Sequence, residues 1–176
     1  YTLATDTNRQ DINSGSYCTH LLLLPIPRGG ISGYETWSPA LRNRIIQVLG
    51  SKDVYEDRVK DKSGLLPDHK FPEIRWDDSV RRDSLEHLTD DEIKRDFQLI
   101  SNQRNQQKRE ACRTCFQTNT RPSLFGIEFF VNGNKEWPTD VPRRGKSAES
   151  GCNGCGWYDI QAWRNSINAE IRKDEN

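Results

Sequence analysis

Two stretches of the chain decide its fold: Leu65-Leu66-Pro67-Asp68-His69-Lys70-Phe71-Pro72 and Asp96-Phe97-Gln98-Leu99-Ile100-Ser101-Asn102-Gln103-Arg104-Asn105-Gln106-Gln107-Lys108. The first reads as a strand that ends at an Asp-His pair, and the second as an apolar piece followed by a helix over 102–115. A carboxylate is a hard oxygen ligand suited to Mg²⁺, and an imidazole with a pKa of about 6.5 can act as a neutral base near pH 7. An asparagine at a helix start can add a second oxygen ligand, so the pattern predicts a metal-dependent site.

In these stretches the sequence resembles the HNH nucleases, the ββα-metal family. That family has Asp-His at the end of a first strand, a polar residue before an apolar second strand, and Asn or His at the helix start, with Lys three positions on. The chain matches the pattern over residues 64 to 115 at Asp68, His69, Asp96, Phe97 to Ile100, Asn105 and Lys108. Asp96 stands where the family more often has Asn, and an aspartate can accept hydrogen bonds but cannot donate them.

The resemblance implies an α+β fold with a ββα-metal core, and one-metal hydrolysis of a phosphodiester to 5′-phosphate and 3′-hydroxyl ends. His69 would take a proton from water. Mg²⁺ or Mn²⁺ on Asp68 and Asn105 would neutralise charge on the phosphate and the leaving oxygen. Asp96 belongs to the implied catalytic set, and Lys108 or Arg104 would hold a neighbouring phosphate.

Four of the five cysteines form two Cys-x-x-Cys pairs, Cys112 with Cys115 and Cys152 with Cys155. This doubled spacing predicts a structural zinc site with four thiolate ligands. Disulfides or plain buried cysteines are the alternatives, but a disulfide within such a pair is strained and no secretory context supports one. Zinc-bearing HNH proteins often place one pair before the Asp-His, whereas both pairs follow it here. Cys18 is interpreted as a small buried apolar residue.

The remaining signals divide the chain into three regions. Residues 1–63 are predicted to hold an irregular polar arm, a strand over 18–26, a glycine-rich loop over 28–33 and a helix over 39–49, for DNA recognition or dimerisation. The resemblance implies that residues 64–115 form the nuclease core, flanked by helices. In 116–176, a hairpin joins 125–131 to 135–137 through Asn132-Gly133 and completes the zinc site, and a helix capped by Asp159 follows.

The chain carries 26 Lys and Arg against 26 Asp and Glu, so its formal net charge is zero. Charges of opposite sign are nevertheless separated along the chain. Acidic residues are concentrated in 77–96, while the helix has basic positions at Arg104, Lys108 and Arg109. At this spacing the three basic side chains lie on one side of the helix, where they can contact the phosphates of a DNA backbone. Arg143 and Arg144 are a second candidate DNA contact. Zero net charge disfavours a strongly basic, nonspecific nuclease. No apolar run approaches the ~20 residues of a membrane span, and no leader is visible.

These observations predict a site-specific endonuclease like a type II restriction enzyme, acting in a bacterial or phage-infected cytoplasm. One site per chain implies a homodimer that cuts both strands of double-stranded DNA. One alternative is a homing or phage HNH endonuclease, or a nuclease domain of a larger enzyme, since the chain begins with Tyr rather than Met. A second alternative is a zinc-organised module that binds DNA or protein without catalysis.

Overall fold

The computed structural model describes residues 2–24, 38–82 and 84–174, with the side chains of 10–17, 38–82 and 84–173. The chain separates into two compact units, Tyr1–Glu35 and Thr36–Asn176. The predicted glycine-rich loop over 28–33 and the side chain of Cys18 lie outside the described residues. In the described part of the chain, no helix is both long enough and apolar enough to cross a membrane.

The first unit contains an antiparallel pair of strands, β1 (Thr2–Gln10) and β2 (Tyr17–Leu24). The strand predicted over 18–26 is confirmed over most of its length. The irregular arm predicted for the first residues is wrong, because they form β1. They lack the apolar alternation that usually reveals a strand, but Thr2, Thr5 and Thr7 are β-branched residues with a preference for extended backbone. The turn between the strands is closed by Asp11, whose carboxylate accepts bonds from two backbone amides.

The second unit mixes short helices with two-stranded sheets, in the order α1 (Pro39–Val48), β3 (Lys52–Asp53), β4 (Arg58–Val59), β5 (Leu66–His69), α2 (Asp90–Asp96), β6 (Phe97–Ile100), α3 (Asn102–Thr118) and α4 (Ile160–Asp174). Short 3₁₀ turns occur at Lys62–Gly64 and Glu73–Arg75, and a longer one at Lys146–Cys152. β3 pairs antiparallel with β4, and β5 with β6. The predicted α+β class is therefore confirmed.

The helices begin at side-chain caps that the sequence predicts. Ser38 accepts a bond from Leu41 N at 3.1 Å at the start of α1. Thr89 and Glu92 form a reciprocal capping box at the start of α2. Asp159 accepts from the backbone of Ala162 at 2.9 Å at the start of α4. These caps fix the residue at which each of the three helices begins.

Apolar side chains on α1 bury the β5–β6 sheet on one side. This core contains Leu41, Ile45, Ile46, Leu65, Leu85, Leu88, Ile93, Phe97 and Leu99. A second cluster surrounds two cysteines and includes Phe71, Trp76, Trp137 and Ala148. A third joins Ile100 and Leu124 to Ile160 and Trp163 of α4. Trp163 thus belongs to a different cluster from Cys115 and Cys152.

The hairpin predicted over 125–137 is not formed. Phe125 and Gly126 adopt positive φ angles of 55° and 76°, and Ile127 N bonds back to Leu124 O at 2.9 Å. The apolar run therefore turns where a strand would continue. The segment that was expected to return pairs elsewhere: Trp137 N donates to Asn119 O at 2.8 Å, which joins it to the end of α3.

Candidate active site and four-cysteine cavity

The β5–β6 register places the Asp-His pair at the end of a two-stranded antiparallel sheet, whose strands are joined by residues 70–96, and beside a helix. Asp68 lies opposite Gln98, and His69 lies opposite Phe97. One further bond, from Lys70 N to Asp96 O at 2.8 Å, extends the pairing beyond the strands. After β6 the chain enters α3 directly, so the first turns of α3 come close to Asp68.

The Asp68 carboxylate accepts hydrogen bonds from three side chains. Asn105 Nδ2 donates to Oδ1 at 3.0 Å. Gln98 Nε2 and Lys108 Nζ donate to Oδ2 at 2.9 and 2.5 Å. An ionised carboxylate offers about four lone-pair directions, so these three bonds leave Oδ1 with capacity for one more partner. The structure thus brings together Asp68 and Asn105, which the sequence paired as ligands of one cation, and their oxygens are of the type that Mg²⁺ prefers.

His69 is held by two aromatic rings and a carboxylate. Its ring centroid lies 4.6 Å from those of both Trp76 and Phe97. Its Nδ1 lies 3.8 Å from Glu73 Oε1, and its side chain is 11% exposed. A histidine that acts as a general base must keep one ring nitrogen in a fixed direction, and this packing restrains the ring. Sequence reasoning missed Glu73, although its position four residues after His69 at a turn is a usable signal.

Asp96 directs its carboxylate to two arginines. It accepts two bonds from Arg95, at 2.6 and 2.9 Å, and a further bond from Arg82. Burial alone would raise the pKa of Asp96, but the hydrogen bonds and charges of Arg95 and Arg82 outweigh it and lower that pKa below its ordinary value. Arg82 belongs to the long segment between β5 and α2, so Asp96 ties this segment to the start of β6.

Lys108 lies inside the site and not on the exposed face of α3. It is buried, and its ammonium donates to Asp68 and to the backbone oxygens of His69 and Lys70. The prediction that it contacts DNA phosphate from the helix surface is therefore not supported by its placement. Arg104 is half-buried, with its guanidinium carbon 4.2 Å from the Tyr55 ring centroid, while Arg109 is exposed.

Gln98 is a site residue that sequence reasoning missed. It is buried, and it donates to Asp68 while its Oε1 accepts from Ile160 N at 3.4 Å. It therefore links the carboxylate to the first turn of α4. The available signal was a single polar residue inside the apolar strand Phe97 to Ile100, since a polar side chain in a core needs a partner.

All four cysteines of the two pairs are free thiols and line one cavity. Cys115 and Cys152 are buried, and Cys112 and Cys155 are half-buried. The other residues that line the cavity are Pro72, Arg75, Ala111, Arg121, Pro122, Trp137, Trp157 and Tyr158. Across the described ranges, no group of three or more His, Cys, Asp or Glu side chains has the geometry of a metal site.

The chemistry of this cavity nevertheless suits a cation bound by thiolates. Burial raises the pKa of Cys112 to about 12, and burial together with the other three cysteines raises the pKa of Cys152 well above its ordinary value. The contributions of Cys112, Cys115 and Cys155 to the pKa of Cys152 show that the four sulfurs lie near one another. Among the residues that the structure describes, two buried N–H groups of side chains that line the cavity, Arg121 Nε and Trp157 Nε1, have no hydrogen-bond acceptor. Metal-bound thiolates accept such bonds, so the donor set and its surroundings fit zinc.

Comparison of the chain with protein-family models, with curated proteins and with solved structures gives no match. The function is therefore inferred from the residues of the site and their geometry.

Proposed function

We propose that the protein is a Mg²⁺-dependent DNA endonuclease of the HNH, ββα-metal type. One observation carries the proposal: the β5–β6 sheet and α3 bring Asp68, His69 and Asn105 together. The Asp68 carboxylate and the Asn105 amide are in hydrogen-bond contact, and the imidazole of the adjacent His69 is restrained by aromatic packing. We therefore assign Asp68 and Asn105 as the oxygen ligands of one cation and the neighbouring His69 as the base, since Asn105 Nδ2 already holds its amide within 3.0 Å of Asp68 Oδ1.

The proposed mechanism assigns one task to each side chain. Asp68 and Asn105 would hold Mg²⁺ (or Mn²⁺), which supplies charge neutralisation at the phosphate and the leaving 3′ oxygen. His69 accepts the proton of the attacking water, and Glu73 Oε1 lies 3.8 Å from its Nδ1, on the side of the ring that faces this carboxylate. Lys108 and Gln98 hold the carboxylate of Asp68 in one orientation. Asp96 supports the site through the two arginines that it binds.

The same proposal covers selectivity and assembly. A chain with zero net charge has weak nonspecific affinity for a polyanion, which favours an enzyme that selects a site on double-stranded DNA. One active site per chain favours a homodimer on a two-fold target, as in restriction enzymes. A homing or phage endonuclease, or the nuclease domain of a larger enzyme, uses the same residues in the same roles.

We also infer a structural zinc ion in the four-cysteine cavity. Four free cysteines on one cavity support it, and so do the two buried N–H donors for which the described part of the chain offers no acceptor. Elemental analysis of protein purified without chelator should find about one zinc per chain, since such a site takes four thiolates. The Cys152→Ser variant should lose it. A content well below one zinc per chain in the wild type contradicts the site.

Incubation of plasmid DNA with the protein and Mg²⁺, with EDTA as the negative control, tests the nuclease proposal. Discrete fragments identify a site-specific enzyme, a smear identifies a nonspecific one, and intact plasmid favours the non-catalytic zinc module. Asn105→Ala should lower the cleavage rate by about 100-fold or more, because it removes a ligand. Asn102→Ala is the matched control, since Asn102 is an exposed residue of the same first helical turn.

A further inference from the structure

Arg75 places a buried positive charge beside the four cysteines. Its side chain is 1% exposed, and its guanidinium carbon lies 3.5 Å from the Trp137 ring centroid. One arm of the guanidinium, Nη2, donates to Cys115 Sγ at 3.2 Å. A buried cation is costly unless a counter-charge accompanies it. A zinc ion with four thiolates carries a formal charge of −2, so an occupied centre supplies the counter-charge that this arginine needs.

The other arm of Arg75 reaches a basic loop, residues 143–146. Nη1 donates to Arg143 O at 3.1 Å, and the backbone oxygen of Arg75 accepts from Gly145 N at 2.8 Å. Gly145 has a positive φ of 86°, and a Cβ at this position would lie 2.6 Å from Asp77 Oδ2. The loop is therefore seated against the segment that follows Arg75, where Lys146 N also donates to Ser79 Oγ at 3.1 Å, and the positive φ of Gly145 favours glycine at this turn.

The basic loop presents two exposed arginines over the last turns of α3. The guanidinium carbons of Arg143 and Arg144 lie 4.6 and 5.1 Å from the Phe116 ring centroid. Phe116 directly follows Cys115, so the arginines and the cysteine cavity share one short stretch of helix. Planar guanidinium groups match phosphate oxygens with two parallel hydrogen bonds, which makes this pair a suitable contact for a nucleic-acid backbone.

We propose that Arg75 is a positioning residue that couples the four-cysteine centre to the basic loop, so that a bound metal fixes Arg143 and Arg144 as a phosphate contact. The phosphate part rests on the proposed function, because it takes duplex DNA as the ligand. The coupling itself rests on the bonds of Arg75 to Cys115, Arg143 and Gly145. Arg75 thus transmits the state of the metal centre to a surface that does not touch it.

The first test compares amide hydrogen exchange in the zinc-loaded wild type, Arg75→Lys and a matched control, Arg81→Lys. A lysine keeps the charge but cannot bond a sulfur and a carbonyl with one planar group. The variant keeps the backbone oxygen that accepts from Gly145 N, but it loses the charged bond from Nη1 to Arg143 O that holds the loop. The loop should therefore open more often, and exchange at Gly145 should be faster by about tenfold. Arg81→Lys should match the wild type, since Arg81 is exposed and pairs with Asp78 at 3.3 Å. Wild-type exchange in Arg75→Lys overturns the coupling.

The second test uses the wild type alone, so it does not depend on how the variant folds. Removal of zinc with a chelator should speed exchange at Gly145 while Lys70, whose N–H bonds to Asp96 O at the end of the β5–β6 sheet, stays protected. Unchanged exchange at Gly145 overturns the proposal. Equal loss of protection at Gly145 and Lys70 also overturns it, because the metal would then support the whole unit and not the loop.

The third test measures the affinity for a DNA duplex by fluorescence anisotropy at several salt concentrations, with Ca²⁺ in place of Mg²⁺. The Arg143→Ala, Arg144→Ala double variant should reduce the slope of log K against log salt by about two. Arg75→Lys should reduce this slope in the same direction. An unchanged slope in the double variant refutes the phosphate role. A wild type that binds no duplex refutes the proposed function, whereas the exchange measurements still decide the coupling.

Discussion

Lys108 Nζ lies 2.5 Å from Asp68 Oδ2, and the two side chains are only 3% and 10% exposed. The same ammonium donates to the backbone oxygens of His69 and Lys70. This buried ion pair joins the second turn of α3 to the end of β5. It therefore holds the carboxylate that we assign as a metal ligand, and it links the β5–β6 sheet to the helix that carries Asn105.

Lys108→Met removes the ammonium and keeps the length of the side chain, so it leaves the Asp68 carboxylate buried without its counter-charge. We expect the free energy of unfolding to fall by about 3–5 kcal/mol, measured by urea denaturation. Arg109→Met is the control, because Arg109 is exposed and should change the stability by no more than about 0.5 kcal/mol. If Lys108→Met leaves the stability unchanged and only weakens DNA binding, Lys108 is a surface phosphate contact and this placement is wrong.

The two strands and the helix of the site could be predicted, because each is marked by residues within its own stretch of sequence. The Asp-His pair ends one strand, Phe97 to Ile100 is a short apolar run, and the caps before α2 and α3 are explicit in the sequence. The direction of Lys108 could not be predicted. Position 108 is a neighbour of both 104 and 105 on the helix surface. Only the packing of α3 on β5 determines whether the side chain of Lys108 points to solvent or to Asp68.

The bonds of Gln98 and Arg75 depend on contacts between distant parts of the chain. Arg75 and Cys115 are 40 residues apart, and Gln98 and Ile160 are 62 apart. A sequence pattern can mark such a residue as unusual, as Gln98 is in its apolar strand, but it does not identify the partner.

The hairpin predicted over 125–137 fails for a different reason: Phe125 adopts a left-handed conformation that is rare for a bulky residue.

Asp96→Asn should change how stability depends on pH. The pKa of Asp96 is lowered in the folded protein, because Arg95 and Arg82 outweigh the effect of burial. The carboxylate therefore contributes stability above its unfolded pKa of about 3.9, and this contribution is lost as the pH falls through the lower folded value. The variant should be less stable by about 1–3 kcal/mol at pH 7, with the difference shrinking below about pH 4.

Unfolding midpoints measured between pH 2 and 7 check this expectation. Asp78→Asn is the control, since the Asp78 side chain is 98% exposed and its ion pair with Arg81 should add little. A constant difference between wild type and Asp96→Asn across the whole range would show that the ionisation of Asp96 plays no part in stability.

Gly154→Ala tests the geometry of the second cysteine pair. Gly154 lies between Cys152 and Cys155 with a φ of 81°, and a Cβ there would approach Asn132 N to 2.2 Å. We expect a loss of about 1–3 kcal/mol in unfolding free energy, from backbone strain and overpacking, together with weaker zinc retention. Gly64→Ala is the matched control, because a Cβ at Gly64 meets nothing within 4 Å and its φ is not in the positive region. Equal stability of the two variants contradicts this turn geometry.

The most direct test of the nuclease assignment compares His69→Ala with the wild type in Mg²⁺-dependent plasmid cleavage. His87→Ala serves as the control, since His87 is an exposed histidine outside the site. If His69 is the general base, His69→Ala should cleave slower by about 10²–10⁴-fold while it folds normally and binds a DNA duplex in Ca²⁺ as the wild type does. Undiminished cleavage by His69→Ala would contradict the assignment.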